Sequence, residues 1–422
     1  MVDRNLFPHD LAVAAIFKDE GRYLREWLDY HLLAGVEHFY LYNNNSSDNY
    51  AEILKPYIDA NIVTLIDWPG KIMQYPAYDD AVERFRFFCR YMAFIDIDEF
   101  ICPKTGQSIV EVADEVLSKC PEAVGLLVNL QHYGSNGHEA ADYSKGVLER
   151  FTRRAERSWK DCVNGNHLGN FYWKIVINPR AVKFFKNPHS ADTFNCESCV
   201  NSDGVIDYKC GDDELVADDK IVLNHYFTKS REEFVTRRLK GTVACWAKSP
   251  YDESYFRACD RNEVFDDGIL RYRAARAENF QLPDEAQRFQ RVEKVLIDTL
   301  TAQSPFDAPA KIFGGKVETF LTCRRLAEHL GTRISNRSAE EYALVWLYQT
   351  LKTEGAATYS DLQLLLTEMP ALLRRPFPLC RKILQVLCDE ILPTLCDALR
   401  ERELWALRFD LIRVQKFLML LR

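Results

Sequence analysis

The chain has 422 residues, 47% of them apolar, and 62 acidic against 54 basic side chains give a net charge of −8. That length suggests two domains with ample core, and the lack of any basic block excludes general nucleic-acid binding. Met1 to Asp10 is polar, without the apolar stretch of a signal peptide, and no run approaches the roughly 18 apolar residues of a membrane span, so a cytoplasmic protein is expected.

Leu11–Phe17 (LAVAAIF) reads as a buried strand. Tyr23–Ala34 follows as a helix, with Leu24, Trp27, Leu28 and Leu32 on one face and Gly35 ending it. Phe39–Tyr42 is a second strand, running into the turn formers Asn43–Asn49. A helix over Tyr50–Ala60, a strand over Ile62–Ile66, a helix over Tyr78–Arg90 and a strand over Met92–Ile97 complete a βαβαβαβ order. Such an order implies an α/β fold with a mostly parallel sheet flanked by helices.

Beyond Val124 the pattern becomes mixed, with strands at Leu126–Leu130, Phe171–Ile177 and Ile221–Leu223. From about Asp284 it turns helical. Ser338-x-x-Glu341 opens a capped helix, and Leu404, Leu407, Leu411, Val414, Leu418 and Leu421 keep a heptad rhythm. The expected division is residues 1–280 as catalytic domain, 281–312 as linker and 313–422 as an α-helical C-terminal domain. Thirteen cysteines, mostly inside apolar runs, read as reduced core thiols. Cys196-x-x-Cys199 with Cys210 and His189 is a spacing that also suits zinc, but no second tight pair accompanies it.

The chemistry centres on Phe94-Ile95-Asp96-Ile97-Asp98-Glu99-Phe100. Residues two apart on a strand share a face, so Asp96 and Asp98 are expected to aim together into the crevice at a strand's carboxyl end. Paired carboxylates there suit a hard divalent cation and the phosphates it carries. Two functional readings remain open. A DxD phosphatase uses the first Asp as nucleophile, but expects Thr or Val where Phe100 stands and places the pair on the first strand. A nucleotide-sugar glycosyltransferase uses the carboxylates to hold Mn²⁺ or Mg²⁺ on a diphosphate. A solvated acidic loop is the plainest alternative.

The surrounding blocks weigh on that choice. Lys18-Asp19-Glu20, Tyr23-Leu24-x-Glu26-Trp27-x-x-Tyr30-His31, Gly35-Val36-x-His38-Phe39-Tyr40-Leu41-Tyr42-Asn43-Asn44-x-Ser46-x-Asp48, Gln74 with Tyr78 and Asp80, and the acidic run occur in order. So do Tyr133-Gly134-Ser135-x-Gly137-His138, Glu149-Arg150-Phe151, Lys174-Ile175-Val176 with Pro179, and Asn224-His225-Tyr226-x-x-Lys229-Ser230-x-Glu232-Glu233-Phe234. Over about residues 11 to 245 the chain resembles glycosyltransferase family 92 and its bacterial family-2-like relatives, with Tyr133 where members usually carry Phe.

The resemblance implies a GT-A fold, a UDP-sugar donor and a metal ion. Asp98 would be the direct metal ligand, Asp96 would contact the metal or ribose, and His225 would complete the metal site. Lys229 would neutralise diphosphate charge. Asn44 and Asp48 fall where relatives bind uracil and ribose, with Lys18, Glu20 and Asp80 near the same crevice. His138 is a candidate acceptor contact. Transfer of galactose with inversion is implied and needs a general base, for which Asp161, Asp192, Asp212, Asp213 and His138 are candidates.

The expectation is thus a metal-dependent hexosyltransferase in a bacterium, acting on a glycan or lipid-linked acceptor from the cytoplasmic side. A DxD phosphatase, a sugar nucleotidyltransferase and a non-catalytic glycan-binding protein on the same fold are the alternatives. The C-terminal heptad stripe is expected to be buried against protein, within the chain or across a homo-oligomer. Arg408, Arg413, Lys416 and Arg422 beside it leave peripheral contact at the inner membrane face as a secondary role.

Overall fold

A computed structural model describes residues 7–283, apart from 87, 121–122, 180, 194–197, 206–215 and 241–251, together with residue 287. His9–Pro283 is one of two units into which the chain divides. The expected C-terminal helices, the heptad stripe, Cys196, Cys210, Asp212 and Asp213 lie outside the described residues.

Alternating strands and helices open the unit: β1 (His9–Phe17), α1 (Gly21–Leu33), β2 (His38–Asn43), α2 (Tyr50–Asp59), β3 (Val63–Asp67), α3 (Gln74–Phe85) and β4 (Cys89–Phe94). Next come β5 (Glu99–Pro103), α4 (Ile109–Lys119), β6 (Ala123–His132), α5 (Val147–Arg150), β7 (Arg153–Arg154), β8 (Lys160–Val163), β9 (Asn166–Gly169) and β10 (Trp173–Ile177). The rest are β11 (Val182–Asn187), β12 (Ser190–Thr193), β13 (Ser198–Asn201), β14 (Ile221–His225), α6 (Arg231–Lys240), α7 (Glu253–Cys259), β15 (Val264–Phe265) and α8 (Gly268–Ala277).

The central sheet runs β3-β2-β1-β4-β10-β6-β14-β5, with β13 also pairing β6. Its first four strands are parallel, whereas β10 lies antiparallel to both β4 and β6, and β5 antiparallel to β14. The α/β expectation holds, and the parallel character belongs to the N-terminal half. Alternation along β1 divides the core: Leu11, Val13, Ala15 and Phe17 face a cluster shared with α1, α2 and α4, while Ala12, Ala14 and Ile16 face one shared with α3. Helices thus cover both faces, as a largely buried sheet requires.

Boundaries around the fourth strand differ from expectation. The helix expected over Tyr78–Arg90 ends at Phe85, and β4 starts at Cys89 because the run from Cys89 to Phe94 is buried at every position.

The edge strand β5 is covered by α1. Trp27 Nε1 donates to Glu99 O at 2.8 Å and the Tyr30 hydroxyl donates to Ile101 O at 2.9 Å. Ile101 N donates to His31 Nε2 at 3.3 Å, while His31 Nδ1 meets Trp27 O at 2.8 Å. Burial lowers the His31 pKa to about 3, so the ring is neutral and serves both contacts. These side chains satisfy an edge that would otherwise present bare backbone groups. They also fix the strand that begins directly after the acidic pair.

Candidate functional site

β4 ends at Phe94 and β5 begins at Glu99, so Asp96 and Asp98 occupy the turn between them. This corrects the expected strand-end geometry. The two carboxylates are not carried on one strand face and meet different partners. The turn is held by Asp96 N donating to Glu99 Oε2 at 2.8 Å and by Tyr226 N donating to Asp98 O at 2.8 Å.

Asp96 belongs to a buried ionic cluster. Its Oδ2 lies 3.0 Å from Lys174 Nζ, and its Oδ1 accepts from Gln74 Nε2 at 2.9 Å and the Tyr78 hydroxyl at 3.4 Å. Lys174 also meets Glu99 Oε2 at 3.1 Å. Both Lys174 and Glu99 are buried. Burial would push the lysine down, but Asp96 and Glu99 outweigh it and hold the ammonium well above its ordinary range. Burial raises the Glu99 pKa against the pull of Lys174.

Asp98 points elsewhere. β14 pairs antiparallel with β5, with His225 opposite Glu99, so the histidine arrives beside Asp98 from far along the chain. His225 Nε2 stands 3.7 Å from Asp98 Oδ2, which the Arg237 guanidinium also contacts. Burial alone would raise the Asp98 pKa, but Arg237, His225 and Lys229 keep the carboxyl well below the usual range. It is therefore ionised.

A hydrogen-bond chain fixes the histidine tautomers. The Asn170 amide nitrogen donates to Glu156 O at 2.9 Å, leaving its Oδ1 as acceptor. His132 Nδ1 donates to that oxygen at 3.2 Å, and burial lowers the His132 pKa to about 3, so its Nε2 carries a lone pair. His225 Nδ1 is 3.3 Å from His132 Nε2 and supplies the proton between them. With Nδ1 engaged by His132, Nε2 is the ring atom of His225 that faces the Asp98 carboxylate. Carboxylate oxygen with imidazole nitrogen is a fitting donor pair for an Mn²⁺-like ion. Among the described residues no three His, Cys, Asp or Glu side chains form a ready-made metal cluster. Of the three expected ligands, Asp98 and His225 converge, whereas Asp96 is paired with Lys174.

The other candidates sort by place. Lys229, buried and with φ 49°, stands 4.5 Å over the Tyr23 ring. Burial lowers its pKa, while Asp98 and Glu20 act to raise it. Glu20 is the residue before α1, and Lys18 lies half-buried two positions earlier. Asn44 is buried and donates to Trp68 O at 2.8 Å and Gly70 O at 3.1 Å. Asp48 accepts from Gly21 N at 2.7 Å, tying the second-strand loop to the start of α1. Asp80, on α3, accepts from the Tyr42 hydroxyl at 2.7 Å.

His138 is exposed in the loop after β6, its ring edge-on to Phe151. That loop is pinned by Ser135 N on Asp260 Oδ1 at 2.6 Å and Asn136 N on Asn262 Oδ1 at 2.8 Å. A Cβ at Gly134 would stand 2.4 Å from Arg261 O, which explains that glycine by space. Asp161 is exposed on β8, and Asp192 pairs with Lys186.

Sequence reading assigned no role to Lys174, Glu99, His132, Asn170 or Arg237. Lys174 carried a signal, since a lysine inside the apolar run Trp173–Ile177 needs a buried anion. Arg237 carried none.

A sequence profile described as Glycosyltransferase family 92 matches residues 11–238, more than half the chain. A family 92 protein of Ricinus communis is 29% identical over 148 residues, 35% of this chain and 27% of that protein. One from Oryza sativa subsp. japonica is 31% identical over 147 residues, 35% of this chain and 25% of that protein. Galactan beta-1,4-galactosyltransferase GALS3 of Arabidopsis thaliana is 28% identical over 144 residues, 31% of this chain and 28% of that protein. The matches thus span about a quarter of these relatives' lengths. All three are plant proteins and lend nothing to the expected bacterial setting. The S. aureus TarS 1-349 crystal structure aligns at 12% identity and TM-score 0.29, covering 81% of this chain and 86% of that one. Its complex with UDP gives 0.28 at 12% identity, covering 82% and 92%.

Proposed function

Because this chain belongs to glycosyltransferase family 92, we propose that it is a metal-dependent transferase moving a hexose from a UDP-sugar to a glycan acceptor. The observation that carries this reading is the pair formed by Asp98 and His225, a carboxylate oxygen and an imidazole nitrogen converging 3.7 Å apart at the acidic turn. They would hold the cation. When bound, such a cation offsets the negative charge on a departing nucleoside diphosphate. Lys229 would face the diphosphate as a buried point charge, and Lys174 holds Asp96 in place for the donor's ribose. Asn44 and Asp48 shape the loop proposed for the uridine, with Lys18, Glu20 and Asp80 flanking it. Galactose is the proposed sugar, supported by the activity in the names of two Arabidopsis relatives. Inversion is proposed with it.

The test is a UDP-release screen across UDP-sugars, run with Mn²⁺, with Mg²⁺ and with EDTA. Release from one donor, dependent on acceptor and metal, is expected. Equal turnover in EDTA would remove the metal. No UDP from any donor, with UTP and sugar 1-phosphate formed once pyrophosphate is added or phosphate released from an added sugar phosphate, would return the site to a nucleotidyltransferase or a phosphatase. The C-terminal stripe from Leu404 to Leu421 is proposed to be covered by protein. Full-chain sedimentation with anionic vesicles would replace that with a membrane surface.

A further inference from the structure

Asp98 already has a cation. Arg237 reaches it from α6, with its guanidinium 4.7 Å over the Phe227 ring. The exposures differ within this group: Asp98 is 5% exposed, His225 13% and Arg237 29%. The carboxylate is fixed and desolvated, whereas the arginine is long, late in its helix and reached by solvent. A buried carboxylate without a counter-charge is costly, so the ligand-free protein has to supply a positive charge at this point. Arg237 supplies it on the same oxygen, Oδ2, that faces His225 Nε2.

We propose that Arg237 is an internal counter-cation that holds the metal's place on Asp98 until the nucleotide sugar arrives, then pairs with the donor's phosphates. This rests on the metal-dependent reading above. In the free site Asp96, Asp98 and Glu99 face Lys174, Lys229 and Arg237. A divalent ion arriving alone meets this matched set and must displace a guanidinium into water. A metal arriving with a diphosphate brings both the charge that Asp98 needs and the phosphate oxygens that the displaced guanidinium can take in a bidentate pair. Metal and nucleotide therefore bind cooperatively, and Arg237 is a positioning residue that couples them.

The distinguishing readout needs no turnover. The full chain is titrated with Mn²⁺ alone, following free Mn²⁺ by electron paramagnetic resonance, and then with UDP at saturating Mn²⁺ by calorimetry. Arg237→Ala is expected to bind Mn²⁺ alone about tenfold more tightly, because a like charge beside the ligand is gone. It should bind UDP with Mn²⁺ about tenfold more weakly, because a charge-assisted pair is lost. Arg237→Lys should restore weak binding of Mn²⁺ alone, and adding Asp98→Asn to Arg237→Ala should remove the gain. A merely structural arginine would weaken both affinities and the melting temperature together. If Arg237→Ala fails to fold, Arg237→Gln keeps an amide on Asp98 without the charge and carries the same expectation. Mn²⁺ affinity of the free variant equal to or below wild type overturns the proposal. Failure of Mn²⁺ to strengthen UDP binding in the wild type instead overturns the metal-dependent reading, while the Mn²⁺-only titration still decides the role of Arg237.

Discussion

Replacing Lys174 with Met probes the ionic cluster beneath the acidic turn. The ammonium is 2% exposed, 3.0 Å from Asp96 and 3.1 Å from Glu99, and Glu99 is itself buried. Methionine fills similar space but leaves Glu99 as a buried anion without its cation, so Lys174→Met should cost about 3–5 kcal/mol at neutral pH. The pH dependence separates charge from packing. In the wild type the lysine pKa is raised on folding, so its contribution is fully present below the unfolded value of about 10.4 and persists through neutral pH. In the variant the Glu99 pKa, already raised by burial, rises further. The folded state then holds a proton that the unfolded state releases. Its penalty is full at alkaline pH and shrinks as pH falls toward the unfolded glutamate value of about 4.3. Urea unfolding of both proteins at pH 5 and pH 8, followed by near-ultraviolet circular dichroism, measures this. A deficit below about 1 kcal/mol at pH 8, or one equal at both pH values, would refute the assignment of Lys174 as the counter-charge that permits this buried pair.

Other substitutions test the rest of the site. Asp98→Asn keeps the shape of the turn and should leave the fold intact while abolishing metal-stimulated UDP release; near-normal turnover with Mn²⁺ would argue against its ligand role. Asn170→Ala touches neither proposed ligand but frees the His132 tautomer, so affinity for Mn²⁺ with UDP should fall about tenfold or more, measured by calorimetry; unchanged affinity would break the relay. Arg150 and Glu233 form a buried bidentate pair at 2.8 and 3.0 Å. Although burial opposes ionisation, Arg150 and Ser230 bring the Glu233 pKa to about 2. The pair's stability is present above the unfolded value of about 4.3 and is lost as pH falls through about 2. The gap between wild type and Arg150→Met in urea unfolding should therefore narrow over that acid range. Gly134→Ala should lower stability by about 1–3 kcal/mol, because its Cβ has no room beside Arg261 O; a neutral result would mean the loop can shift.

The fold order was legible because each early element carries its own period. LAVAAIF reads as a buried strand, and the Leu24, Trp27, Leu28 spacing as a helix that packs against it, and both form. The acidic pair was visible as two carboxylates after an apolar run. Its setting was not, since the strand stops at Phe94 and the two side chains separate within the turn. Local pattern cannot locate that break, which depends on Glu99 closing onto Asp96 N and on Tyr226 closing onto Asp98 O.

What the sequence determined by itself was the set of parts: an α/β order, the acidic pair, and the motifs around His225 and Lys174. Which carboxylate meets which cation was decided by tertiary structure. Pairing of β5 with β14 brings His225 to Asp98, and antiparallel insertion of β10 beside β4 brings Lys174 to Asp96. α6 delivers Arg237 to the same oxygen that faces the histidine. Charges interact through space over a few ångströms, so their meaning depends on strand order and register, which no local window of sequence contains.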